Sequence, residues 1–193
     1  MQTDLRIVVA EDESIIRMDL VESLRDLGLD VVGEAGDGET ALALCRGLLP
    51  DVALLDIQMP VMDGLSVAQT LREERLCAVV MVTAFSQVAL VQRAAESGAM
   101  GFLVKPFNTG ELLPAITVAR ASFVREAELH TQVASLEDRL ATRKAVERAK
   151  SVLQQRFGLD EGAAFRWIQK AAMDERSSMR AVAEHVLHST ADN

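Results

Sequence analysis

The sequence holds no tyrosine, one tryptophan, four prolines and two cysteines in 193 residues. Each scarcity excludes something. Cys45 and Cys77 have no metal-ligand spacing, which excludes a disulfide-stapled scaffold or a zinc module and points to reduced thiols in a cytoplasmic protein. No apolar run approaches the length of a membrane span, and the start Met-Gln-Thr-Asp-Leu-Arg lacks the basic-then-apolar pattern of a signal peptide. Few aromatics argue against an aromatic stacking sheet of the RRM type. His130, His185 and His188 show no ligand spacing. Positive charge is scarce in one region only. Residues 1–120 hold 9 Lys and Arg against 18 Asp and Glu, whereas residues 139–180 hold 10 basic against 5 acidic residues. An anion-binding role therefore belongs to the second half if to either.

What is present begins with a pattern of short apolar runs alternating with helix-like stretches. Leu5–Ala10, Val31–Glu34, Val52–Asp56, Val79–Thr83 and Met100–Val104 read as strands. Ile16, Leu20, Leu24 and Leu27 recur at helical spacing before Gly28, a C-terminal stop. Five strands alternating with helices predict a parallel α/β sheet, whose ligand site lies outside the carboxyl ends of the strands. Asn108 and Glu111 have capping-box spacing for a further helix, which Pro114 would kink. Beyond Val118 the pattern is helical throughout. Leu129, Val133, Leu136 and Leu140 form a coiled-coil-like seam suited to dimerisation or to packing on the first domain. A run through Val146, Ala149 and Leu153 ends at Phe157-Gly158. Asp160 and Ser177 are the expected caps of two more helices.

The strand ends carry chemistry. Glu11-Asp12, Asp56, Thr83-Ala84 and Lys105-Pro106 each follow a predicted strand. Singly they are ordinary: an acidic pair caps a helix, a lysine is solvated. At four strand ends of one sheet they make a phosphoryl-transfer site. Glu11, Asp12 and Asp56 would repel one another unless a cation intervenes, and Mg²⁺ suits a few carboxylates plus phosphate oxygens, with the Gln58 backbone carbonyl completing its shell. Asp56 is then a carboxylate nucleophile, with Lys105 and the Thr83 hydroxyl stabilising the transferring phosphoryl group and Ala84 leaving an approach. A haloacid-dehalogenase-like phosphatase would need a second Asp where Gln58 stands, and is rejected.

With Asp63-Gly64 included, residues 1–120 resemble a two-component response-regulator receiver domain. The resemblance implies a flavodoxin-like strand order 2-1-3-4-5, phosphorylation of Asp56 by a sensor histidine kinase, a cis Lys105-Pro106 bond, and a switch pair Thr83 and Phe102, the latter without a phenolic hydroxyl. It implies no enzyme activity beyond the receiver's own phosphorylation and dephosphorylation.

Arg143, Ala145-Val146, Ala149-Lys150, Phe157-Gly158, Ala164-Phe165, Ile168, Ala171 and Val182-Ala183 resemble the ANTAR domain. Ser151 departs from it, standing where Gly is common. That resemblance implies binding of RNA hairpins and transcription antitermination, with a homodimer dependent on phosphorylation. Residues 1–120, 121–142 and 143–190 are thus expected as receiver, helical linker and three-helix RNA-binding domain. Arg139, Arg143 and Lys150 form one helical stripe and Lys144 with Arg148 the next, and these five are the candidate RNA contacts. Two alternatives remain open from the sequence: a DNA-binding response regulator, and an adaptor acting through protein association at the helical stalk.

Overall fold

The computed structural model describes residues 5–84 and 97–189. Five strands, β1 (Arg6–Ala10), β2 (Asp30–Ala35), β3 (Val52–Asp56), β4 (Ala78–Thr83) and β5 (Gly101–Val104), form one parallel sheet in the order β2-β1-β3-β4-β5. The expected α/β class and strand order are both present. Helices α1 (Ser14–Asp26), α2 (Gly38–Leu48) and α3 (Gly64–Glu73) connect the first four strands. The connection between β4 and β5, expected to be helical, lies largely outside the described residues.

The strands are apolar on both faces because both faces are covered. Val8, Ala53, Leu55 and Met81 enter one core with residues of α2 and α3; Ile7, Leu54, Val80 and Val82 enter the other with Leu20 and Leu24 of α1. Alternation along each strand assigns successive residues to opposite cores, so the central strands read as continuous hydrophobic runs.

Past β5 the chain is helical: α4 (Thr109–Phe157), α5 (Glu161–Asp174) and α6 (Met179–His188). The Asn108 N–H donates to Glu111 Oε2 at 3.3 Å, one half of the expected capping box. Pro114 lies inside α4, which is continuous across it. Two compact units divide the chain, residues Met1–Ala127 and Glu128–Asn193. Within the second, Val146, Ala149, Leu153, Ala164, Ile168, Ala172, Val182, Ala183 and Val186 make a separate core. Four of these nine are alanines, and Leu153 and Ile168 are the largest side chains among them.

Asp160 caps α5 as expected, accepting from the Ala163 N–H at 2.7 Å. The cap of α6 is Ser178, whose Oγ accepts from the Ala181 N–H at 3.1 Å, and not Ser177. The reason is local. Arg176 adopts φ 50°, and the N–H groups of Arg176 and Ser177 return to the carbonyls of Met173 and Ala172. Ser177 is consumed in closing α5 by a Schellman motif, so the next helix starts one residue later.

Candidate functional site

The carboxyl edge of the sheet gathers the predicted residues. Glu11 and Asp12 follow β1, Asp56 ends β3, Thr83 ends β4 and Lys105 follows β5. Register fixes this alignment: Ala10 pairs with Leu55, Asp56 with Val82 and Thr83 with Val104. The acidic pair does not cap α1. That helix starts after Glu13 with no side-chain cap bond, which leaves both carboxylates for the site.

One carboxylate oxygen from each of Glu11, Asp12 and Asp56 lies within 4.8 Å of the others. Lys105 Nζ is 2.6 Å from Glu11 Oε2 and 3.2 Å from Asp56 Oδ1. The Gln58 N–H donates to Asp56 Oδ2 at 3.1 Å. Glu11 is buried, and its Oε1 has no hydrogen-bond partner among the described residues, while Oε2 faces the ammonium. Burial pushes the carboxyls of Glu11 and Asp56 above their ordinary range, while Lys105 draws them down. Burial acts to lower Lys105, and the two carboxylates more than reverse it, so the ammonium holds its proton more tightly than usual. Three carboxylates against one ammonium leave a net negative charge at the mouth of the site. An orphaned buried oxygen beside two further carboxylates fits a hard divalent cation such as Mg²⁺. The group opens on a cleft of about 620 Å³ that Gln58, Ala84, Pro106 and Phe107 also border. The Lys105-Pro106 bond is cis.

Two supports act through the backbone. Arg17, one turn into α1, donates from Nη1 to the Glu11 carbonyl and so fastens the loop that bears both acids. Gly64 starts α3 where a Cβ would sit 1.9 Å from the Asp56 carbonyl oxygen, so only glycine fits behind Asp56. Asp63 caps that helix through the Ser66 N–H at 2.8 Å. Thr83 is buried at its strand end, and Phe102 is half-buried against the core shared with α2 and α3.

In the second unit Arg139, Arg143, Lys144 and Arg148 are exposed on α4 with no ion pair among the described residues. Lys150 differs. Its side chain is buried, and Nζ lies 2.8 Å from Glu161 Oε1 and 3.0 Å from Glu147 Oε2. Leu129, Val133, Leu136 and Leu140 are each more than half exposed. Phe157, Phe165 and Trp167 are exposed; on α5 the core stripe runs through Ala164, Ile168 and Ala172 instead. No helix among the described residues is long and apolar enough to cross a membrane.

Residues 7–117 match the response regulator receiver domain family, and residues 134–187 match the ANTAR domain. The chain is 50% identical over 182 residues to the transcriptional regulatory protein PdtaR of Mycobacterium tuberculosis, an alignment covering 94% of this chain and 89% of that protein. Among solved structures, the receiver domain of the response regulator NarL from the same organism superposes with a TM-score of 0.59 at 39% identity, over 61% of this chain and 97% of that one. A complex of CheX, CheY, BeF3 and Mg from Borrelia burgdorferi matches with a TM-score of 0.55 at 25% identity, over 58% of this chain and 86% of that one. The chain belongs to the two-component response regulators, in the group that joins a receiver domain to an ANTAR domain as PdtaR does.

Proposed function

We propose that this chain is a phosphorylation-controlled antiterminator: a sensor histidine kinase of the PdtaS type phosphorylates Asp56, and the ANTAR domain then binds RNA hairpins and keeps a terminator from forming. The observation that carries the first step is the placement of Asp56 beside Glu11, Asp12 and Lys105 at the edge of the sheet. Glu11, Asp12, Asp56 and the Gln58 carbonyl would hold Mg²⁺, which neutralises the carboxylates and draws phosphoryl oxygens in. Asp56 attacks the phosphorus, the bond to the donor breaks, and the new aspartyl phosphate carries its charge toward Lys105 and the Thr83 hydroxyl. Lys105 meanwhile holds Glu11 and Asp56 in place as a fixed ammonium with an unusually firm proton. Thr83 and Phe102 are the pair that would respond to the phosphate. The receiver acts on itself alone, catalysing its own phosphorylation and dephosphorylation. That a relative was solved with BeF3 and Mg supports the same chemistry here.

Residues 1–120 receive the phosphoryl group, residues 121–142 form the stalk, and residues 143–190 bind RNA, with Arg143, Lys144 and Arg148, and Arg139 at the end of the stalk, as phosphate contacts. The exposed seam Leu129–Leu140 supports a homodimer favoured by phosphorylation, two copies burying what one leaves open. Transcription in vitro through an intrinsic terminator preceded by a hairpin pair tests the reading. Readthrough that rises with the wild type plus acetyl phosphate and Mg²⁺, and not with Asp56→Asn, is the expected outcome; unchanged termination in every state contradicts it.

A further inference from the structure

We infer that the α4–α5 face beyond the Lys150 clip is the base-reading platform of the output unit: Phe165 stacks an unpaired loop base while Arg139 and Arg143 hold the flanking phosphates. The inference rests on the RNA-binding reading above and names the surface that performs it.

The geometry follows from one ion pair and helical periodicity. A three-residue connection and a shared core bring the start of α5 back beside α4. The bond from Lys150 Nζ to Glu161 Oε1 at 2.8 Å sets their register and marks which flanks adjoin. Each residue advances about 100° around a helix. Measured from the buried stripe Val146–Ala149–Leu153, Arg139, Arg143 and Lys150 share one flank of α4, whereas Ala145 and Val152, packed against the core, lie toward the other. On α5, Phe165 lies one turn beyond Glu161, on the flank that meets Lys150. Glu161 meets Lys150 directly, so Phe165 lies one turn of α5 from that contact. Lys144, Arg148 and Trp167 fall on the opposite flanks.

Exposure is the second observation. The chain has six Phe and one Trp, and Phe165 is 42% exposed beside a core rich in alanine. An aromatic face next to free guanidinium groups is the composition that binds single-stranded nucleic acid, since any base has a face to stack and phosphates take the charge. Arg139 and Arg143 have no ion pair among the described residues. Lys150 is already held between Glu147 and Glu161, so it positions the two helices and does not contact phosphate. Its clip also offsets part of the negative charge that Glu147 and Glu161 would otherwise present to RNA at this face.

The test uses the full chain, treated with acetyl phosphate and Mg²⁺, and a pool of hairpin RNAs with a randomised loop on a constant stem. Against the RNA enriched by the wild type, Phe165→Ala should bind at least about ten-fold more weakly and Phe165→Tyr within a few-fold. Both should keep the wild-type melting midpoint. An abasic site at the stacked position should cost the wild type a similar factor and Phe165→Ala little more. Wild-type affinity in Phe165→Ala, or a loss in Trp167→Leu and none at Phe165, overturns the platform and leaves RNA binding standing. If the wild type enriches no hairpin, the platform and the RNA reading fall together.

Discussion

Two lysines in this chain are each held between two carboxylates, one in each unit, and their surroundings differ. Lys105 bridges Glu11 and Asp56, whose side chains are 1% and 9% exposed; Lys150 bridges Glu147 and Glu161, at 59% and 75%. At Lys105 the partners are out of water, carry raised pKa values and line a cleft, and a third carboxylate remains uncompensated. That arrangement stores unmet charge which Mg²⁺ and a phosphoryl group can meet. At Lys150 solvent screens the partners, and the bridge joins two helices already packed through Ala149, Ala164 and Ile168. The same three charged groups line a cleft at the sheet edge in one setting and fasten two helices in the other. Burial of the acids decides which.

Substitutions can break or sharpen that contrast. The largest effect falls on Asp56→Asn, which should lose phosphorylation from acetyl phosphate and Mg²⁺ completely by intact mass, while Glu161→Gln keeps the wild-type level. Lys105→Met leaves two buried carboxylates unpaired and should lower the stability of the receiver by about 1–3 kcal/mol in chelator, read by urea unfolding. Added Mg²⁺ should restore most of that loss by binding the native state alone. Gly64→Ala drives a methyl group into the Asp56 carbonyl and should cost about 1–3 kcal/mol with slower phosphorylation.

Two smaller effects complete the set. Val61 sits at φ 68° with its side chain 79% exposed, a conformation a β-branched residue adopts under strain. Val61→Asn should therefore raise stability by about 1 kcal/mol. Lys150→Met should lower the melting midpoint of the output unit by less than Lys105→Met lowers that of the receiver. It should also leave the salt dependence of RNA binding unchanged, whereas Arg143→Ala reduces the log–log slope by about 1.

The receiver was legible because its chemistry is tied to strand ends. A strand buried on both faces announces itself as an apolar run, and whatever follows it must lie at the sheet edge, so Glu11, Asp12, Asp56, Thr83 and Lys105 could be placed together from order alone. What spacing did not reveal there was support acting through the backbone: the Arg17 guanidinium on the Glu11 carbonyl, and the lack of room for a Cβ at Gly64. The output unit was less legible because a helix distributes its residues around a full circle. Lys150 shares a stripe with Arg139 and Arg143, and nothing in that spacing tells that Glu147 and Glu161 will take its ammonium. Phe165 adjoins the core stripe by count, yet alanines at 164 and 172 let the helices close without it. Ser177 and Ser178 are equal candidates for a cap until the αL turn at Arg176 uses the first.

The account stands or falls on coupling between the two settings, and hairpin-RNA affinity with and without the aspartyl phosphate measures it most directly. Fluorescence anisotropy of a paired-hairpin RNA, titrated with the wild type in Mg²⁺ before and after acetyl phosphate and with Asp56→Asn in both conditions, isolates the effect of that one group. The account predicts tighter binding for the phosphorylated wild type alone. Equal affinity in all four titrations, with Asp56 phosphorylated in one of them, would contradict it.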